Sequence, residues 1–135
     1  MKLELTDVAV RTVINPDWQK GISTSIRSGM QSLVSNTDAA IIVLCDQPQL
    51  STDILNRLID TYTATRVPIV TCTYSGTVGV PTLYDRRIFG ELLMLGGDQG
   101  AKPIIERHAS ERIEIDFPGG EVDIDHMMDQ GKLNE

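Results

Sequence analysis

The sequence predicts an α/β fold in which a mostly parallel sheet is flanked by helices. Three observations carry this. Strand-like and helix-like segments alternate for most of the chain. One run, Ala39 to Leu44 (AAIIVL), is short, unbroken and apolar. That run ends at a carboxylate and a turn, Asp46-Gln47-Pro48. Alternation of this kind builds a sheet covered by helices, and a fully apolar strand is the mark of one buried on both faces.

Taken in order, Val8 to Ile14 alternates and is β-branched, which predicts a first strand. Asn15-Pro16-Asp17 ends it, because the residue before proline is pushed out of the helical region and asparagine suits a turn. Between Ser23 and Leu33 the residues Ile26, Met30 and Leu33 recur at helical spacing. The central strand Ala39 to Leu44 follows. Ser51 then caps an amphipathic helix whose stripe is Ile54, Leu55, Leu58, Ile59 and Tyr62. Pro68 to Tyr74 predicts a second buried strand, and Val80 to Tyr84 a third. Arg87 to Leu95 predicts a helix stopped at Gly96-Gly97, and Ala101 to His108 another that tolerates Pro103 in its first turn. Arg112 to Phe117 reads as a late strand, and the acidic tail from Asp123 as the start of a short final helix.

The chain has 135 residues, enough for one domain with one real core. Its net charge is −7 with pI near 4.7, which excludes a general nucleic-acid surface, since phosphate binding needs a Lys/Arg excess. An acidic chain can still take a phosphorylated small molecule if a metal ion supplies the positive charge. Cys45 and Cys72 both lie inside apolar runs and read as buried, reduced thiols of a cytoplasmic protein. No apolar stretch approaches membrane-spanning length, and MKLELTDVAV lacks the pattern of a signal peptide.

In a sheet of this class, ligands sit beyond the carboxyl ends of the strands. Asp46 stands there after the most hydrophobic strand, and Asn15 after the first. A carboxylate so placed suits Mg²⁺, which takes oxygen ligands and keeps several waters; it also suits the cap of a plain turn. Asp123-Ile124-Asp125, with Asp129 beyond, puts two carboxylates on one face if extended. Read alone, it equally describes a solvated tail that caps a helix. Two carboxylates from distant parts of the chain, converging on one metal, fit transfer at a phosphate. The loop Gly96-Gly97-Asp98-Gln99-Gly100-Ala101-Lys102 opens a helix and either suits an anion or simply separates two helices. GISTSIRSG, from Gly21 to Gly29, has the same ambiguity, and Gly79-Val80-Pro81 is either a plain turn or a close backbone approach to a ligand. His108 and His126 show no metal-ligand spacing, and Trp18 reads as a packing lid.

In order along the chain, the motifs are Asn15-Pro16-Asp17-Trp18, Gly21, Ser25-Ile26-Arg27 and Gly29, then Asp46-Gln47-Pro48. Gly79-Val80-Pro81, Leu95 to Lys102 (LGGDQGAK) and Asp123-Ile124-Asp125 complete the set. Together they resemble the MobA-like NTP transferases of molybdenum-cofactor synthesis, especially the cytidylyltransferase branch that joins CMP to molybdopterin. The resemblance implies a Rossmann-like, glycosyltransferase-A-type sheet and Mg²⁺-dependent transfer from CTP or another NTP, with release of pyrophosphate. It implies Asp46 and Asp125 as the catalytic, metal-holding carboxylates. Asn15, Ser25, Gln47 and Pro48 would then lie at the nucleotide, and Gly79, Pro81, Gly97, Asp98 and Gly100 at the pterin substrate.

Two departures accompany the match. The family's initial strand and its basic, glycine-rich triphosphate loop have no counterpart in residues 1–135. His126-Met127-Met128 stands where the family has Thr-Pro-Glu. The resemblance therefore implies a single, N-terminally incomplete domain, with little transferase activity alone. It also implies a vacancy beside the Ala39-to-Leu44 strand, filled by Val8 to Ile14 or, as favoured here, by self-association. Two other functions share these motifs: a sugar or isoprenoid nucleotidyltransferase, and a non-catalytic molybdopterin-binding or maturation module.

Overall fold

The computed structural model describes residues 10–33, 35–97 and 100–122. After a 3-10 turn at Trp18–Lys20 come helix α1 (Ile22–Gln31), strand β1 (Ala39–Ile42), helix α2 (Thr52–Thr65) and strand β2 (Ile69–Tyr74). Strand β3 (Thr77–Asp85) runs through a 3-10 turn into α3 (Phe89–Leu93), followed by α4 (Lys102–Arg107) and β4 (Arg112–Asp116).

Among the described residues, four strands form one sheet in the order β1-β3-β2-β4. β3 is antiparallel to both β1 and β2, while β2 and β4 are parallel. Three of the four strands therefore point the same way, and β3 alone runs against them. β2 and β3 follow one another directly, as expected, but β3 begins at Thr77 rather than Val80. Ser75 and Gly76, both at positive φ (52° and 73°), turn the chain back on itself there, the backbone that a two-residue hairpin requires.

Alternation along the strands divides the core between the sheet's two faces. Val70, Cys72, Leu83, Ile115 and Phe117 pack against Ile54, Leu58 and Tyr62 of α2. On the opposite face, Ile69 and Tyr84 meet Met30, Ile88, Leu92, Ile104 and Ile105 from α1 and the α3–α4 region. The expected cap of α2 is present: Ser51 Oγ accepts from the Ile54 amide at 3.4 Å. Of its stripe, Ile54, Leu58 and Tyr62 are buried, whereas Ile59 faces solvent.

Two expectations are corrected. Val10 to Ile14 forms no strand and is exposed, because no strand among the described residues takes up its backbone groups; Val8 and Ala9 lie outside the described residues. Ala39 to Leu44 is not a central strand. β1 stops at Ile42, is half-buried throughout and lies at the edge of the sheet formed by the described residues, with Val43 and Leu44 exposed. Arg86 N–H donates to Asp38 O at 2.9 Å. By antiparallel alternation, Ala40 and Ile42 then face β3, while the N–H and C=O groups of Ala39 and Ile41 face outward. Beside that edge a groove of about 620 Å³ opens between β1 and α1, lined by Val13, Ile22, Ile26, Leu33, Val43 and Leu44 among others.

Candidate functional site

The carboxyl end of β1 turns at Cys45–Asp46 and is anchored by Gln47, whose side chain is buried. Its Nε2 donates to Val80 O and to Gly120 O, each at 3.0 Å. Val80 is free to accept because the β2–β3 register slips between Thr71 and Cys72. Thr71 faces Thr82 and Cys72 faces Gly79, so Val80 and Pro81 bulge out of the ladder. Proline has no N–H to give a ladder, and a bulge accommodates it; the Val80–Pro81 peptide is cis. Side chains satisfy the bulged carbonyls. Tyr74 Oη donates to Val80 O at 2.9 Å, and Thr71 and Thr82 hydroxyls donate to Gly79 O at 3.2 and 2.8 Å.

The segment after β4 closes the same edge. Phe117 N–H donates to Thr73 O at 2.9 Å, and Gly120 N–H to Phe117 O at 3.0 Å. A Cβ on Gly120 would sit 2.7 Å from Phe117 Cδ2 and collide with the Tyr74 ring as well. Only glycine fits between the two aromatics, which meet edge to face at 6.0 Å and 87°.

These contacts gather three parts of the chain at the carboxyl edge of the co-directed strands: the Asp46 turn, the bulge at Gly79 to Pro81, and the residues leading to Asp123. Asp46 is half-buried and makes no ion pair or side-chain hydrogen bond among the described residues. Burial raises the Tyr74 pKa most and Cys72 next; the Gln47 amide lowers it, and the carboxylates of Glu121 and Asp46 add smaller increases. A hard divalent cation fits such oxygen donors. No three His, Cys, Asp or Glu side chains converge at metal-binding distance among the described residues, so Asp46 is the one candidate ligand among the described residues. Asp125, together with Asp98 and Asp123, lies outside the described residues.

The other residues singled out in the sequence fall in three places. Pro48 is exposed on the Asp46 turn, whereas Pro81 is fully buried and Gly79 is overlain by the Tyr74 hydroxyl. Asn15 binds the protein on both sides of its amide. Nδ2 donates to Thr24 Oγ1 at 2.8 Å and Ser25 Oγ at 3.1 Å, and Oδ1 accepts from the Asp17 amide at 3.0 Å. Asn15 thereby ties the extended chain to α1, with Ser25 exposed beside it. Trp18 is exposed rather than a lid, and Cys45 is exposed rather than buried, because the strand containing it ends early. Cys72 is buried, and that burial pushes its thiol up to about 11. Sequence reasoning missed Tyr74 and Glu121. An aromatic at the end of a strand carries no local sign of what it will face.

Gly97 and Gly100, both at positive φ, form a separate loop between α3 and α4. Ser23 Oγ donates to Gly96 O at 3.3 Å, and a cavity of about 370 Å³ lined by Glu91, Gly96, Gly100 and Arg107 opens beside it. No hydrogen bond among the described residues joins this loop to the Asp46 turn.

The base of the glycine loop is braced by Glu91. Its carboxylate accepts from Arg107 Nη1 at 2.5 Å and meets His108 Nε2 at 2.8 Å. Hydrogen bonding to Glu91 raises the His108 pKa, helped by Glu111. Burial pushes Glu91 up, but the bonds from His108 and Arg107 outweigh it and hold it below the ordinary value. The raised histidine stabilises fully below about pH 6.5 and loses its contribution as pH rises through its folded-state pKa. The lowered glutamate contributes above about pH 4.5 and loses that as pH falls through its own folded value. Melting temperature is therefore expected to decline as pH rises above about 6.5, and His108→Gln to flatten that slope. An unchanged slope in the variant would show that the brace does not titrate.

A family model described as the MobA-like NTP transferase domain matches residues 2–113. The purine catabolism protein PucB of Bacillus subtilis (strain 168) is 31% identical over 91 residues, spanning 67% of this chain and 43% of PucB. Among solved structures, Rv0371c of Mycobacterium tuberculosis H37Rv superposes with a TM-score of 0.66 at 29% identity, covering 82% of this chain and 58% of that one. The same protein was solved as a complex with manganese, at TM-score 0.65, 30% identity and coverage of 81% and 58%. A homologue from Mycobacterium sp. strain JC1 gives 0.64 at 26%, with coverage of 81% and 55%. The chain thus spans about half the length of the relatives it matches. The ordered motifs, the sheet and a family match over most of the sequence agree: the chain belongs to the MobA-like NTP transferase family.

Proposed function

We propose that this domain serves divalent-metal-dependent transfer of a nucleotidyl group, cytidylyl from CTP, to the phosphate of molybdopterin. The single observation that carries the reading is the convergence of the Asp46 turn, the Gly79-to-Pro81 bulge and the Phe117-to-Val122 segment at one sheet edge. Four residues separate Gly120 from Asp125 in sequence. Asp46 and Asp125 would hold the ion, Mg²⁺ in this reading. When bound, it supplies positive charge to the phosphates of the nucleotide. Asn15 and Ser25 at the head of α1 and Pro48 on the turn take the nucleotide side. Gly79 and Pro81 shape the bulge wall, while Gly97, Asp98 and Gly100 take the acceptor side. The manganese complex of Rv0371c supports a divalent ion in this fold.

The test is Mn²⁺ binding to the purified chain, followed by electron paramagnetic resonance. Asp46→Asn is expected to weaken it by ~10-fold or more, since carboxylate charge sets affinity for such ions, with the circular dichroism spectrum retained. Equal affinity in the variant would end the metal reading. A larger gain in Mn²⁺ affinity with CTP than with GTP selects the cytidylyl branch. The outward backbone groups of Ala39 and Ile41 support a further part of the proposal, that the chain self-associates through β1.

A further inference from the structure

We infer that Gln47 is a positioning residue that holds the Asp46 turn against the bulge and the segment after β4, rather than a contact to the nucleotide. The inference rests on the metal reading of Asp46. A primary amide has two N–H donors and one carbonyl. In Gln47 both donors are engaged, one on the Val80 carbonyl of the bulge and one on the Gly120 carbonyl after β4. These partners lie 33 and 73 residues away in sequence, so one side chain ties three distant segments together. Reversing the amide would set its oxygen against two carbonyl oxygens, so the nitrogen must face them. The oxygen, Oε1, is buried and has no hydrogen-bond partner among the described residues. A buried acceptor left unmade is costly. The position therefore keeps glutamine for its two donors, at the expense of its acceptor.

The consequence falls on its neighbour. With Gln47 anchored inward, Asp46 is left half-buried at the edge, its carboxylate unclaimed by any described side chain. Tyr74 reinforces the arrangement by donating to the same Val80 carbonyl at 2.9 Å. A group that orients a metal ligand without touching the ion typically changes affinity ~10–100-fold when removed.

Gln47→Met keeps the length and much of the volume of the side chain and removes both donors. Mn²⁺ affinity, read by electron paramagnetic resonance well below the melting temperature, is expected to fall ~10–100-fold. A variant that melts earlier yet binds Mn²⁺ as tightly as the parent would reduce Gln47 to a packing role and overturn the inference. The metal reading is judged separately by Asp46→Asn. If that change leaves Mn²⁺ binding intact, the reading beneath this inference has failed, whatever Gln47 does. A second measurement uses the unaltered chain. Mn²⁺ held at Asp46 should broaden the nuclear magnetic resonance amide signals of Val80 and Gly120, because Gln47 fixes both beside the turn. Sharp signals at both positions in the Mn²⁺-saturated protein would overturn the inference without relying on any variant.

Discussion

Replacing Phe117 by alanine is expected to cost about 3–5 kcal/mol of stability and to lower the melting temperature by roughly 10–20 °C. Phe117 is 2% exposed and sits among Leu58, Val70, Cys72 and Ile115 under α2. It also meets Tyr74 edge to face and fills the space beside Gly120. Removing the ring leaves a cavity that the sheet cannot collapse to fill, since β4 is fixed to β2 by its ladder. A typical domain has only about 5–15 kcal/mol to lose, so the change consumes a large share. Phe117→Leu should cost clearly less, about 1.5 kcal/mol or below, because it conserves most of the volume. Thermal melts of the three proteins decide it. A drop of only a few degrees for the alanine variant would mean that this part of the core is looser than the packing indicates.

The second large effect concerns assembly. Sedimentation equilibrium is expected to show a concentration-dependent dimer, and Val43→Lys to return it to monomer. The edge of β1 offers the N–H and C=O groups of Ala39 and Ile41, and the adjoining groove is largely apolar. Two copies of β1 running antiparallel about a twofold axis would satisfy both edges with the same residues. Unpaired strand edges invite such pairing, and a lysine on the edge is a common way to block it. Val43 is 45% exposed, so lysine there alters the edge without disturbing the core. A parent chain that stays monomeric at high concentration would refute the association. A lysine variant that still dimerises would move the interface elsewhere.

Much of this fold was legible because it rests on local patterns. The Ser51 cap, the Ile54-Leu58-Tyr62 stripe and the runs that became β2 and β4 each announce themselves within a dozen residues. The position of Asp46 at the carboxyl end of a strand was legible for the same reason. What escaped was pairing. Ala39 to Leu44 looks central because its composition is apolar, but whether a strand has one neighbour or two is decided by other parts of the chain. The hairpin at Ser75-Gly76 did leave a signal, a Ser-Gly turn pair after the first of two successive strand-like runs, but the second run is expected to begin only at Val80, whereas β3 begins at Thr77. The resemblance places Gln47 at the nucleotide. Its hydrogen bonds to Val80 and Gly120 depend on a bulge and a loop closure that no spacing in the sequence encodes.

The placing of β3 between β1 and β2 also sets the order in which the sheet can assemble. Pairing β2 with β3 closes a loop of two residues, whereas pairing β1 with β3 must first enclose residues 43–81, and β2 with β4 residues 75–111. Loop-closure entropy rises with the length enclosed, and early contacts are those close in sequence. The hairpin is thus the natural nucleus, onto which β4 and β1 add from opposite sides. The Asp46 turn and the Gly120 segment travel with those two late strands, so the site itself comes together only in the final steps of folding.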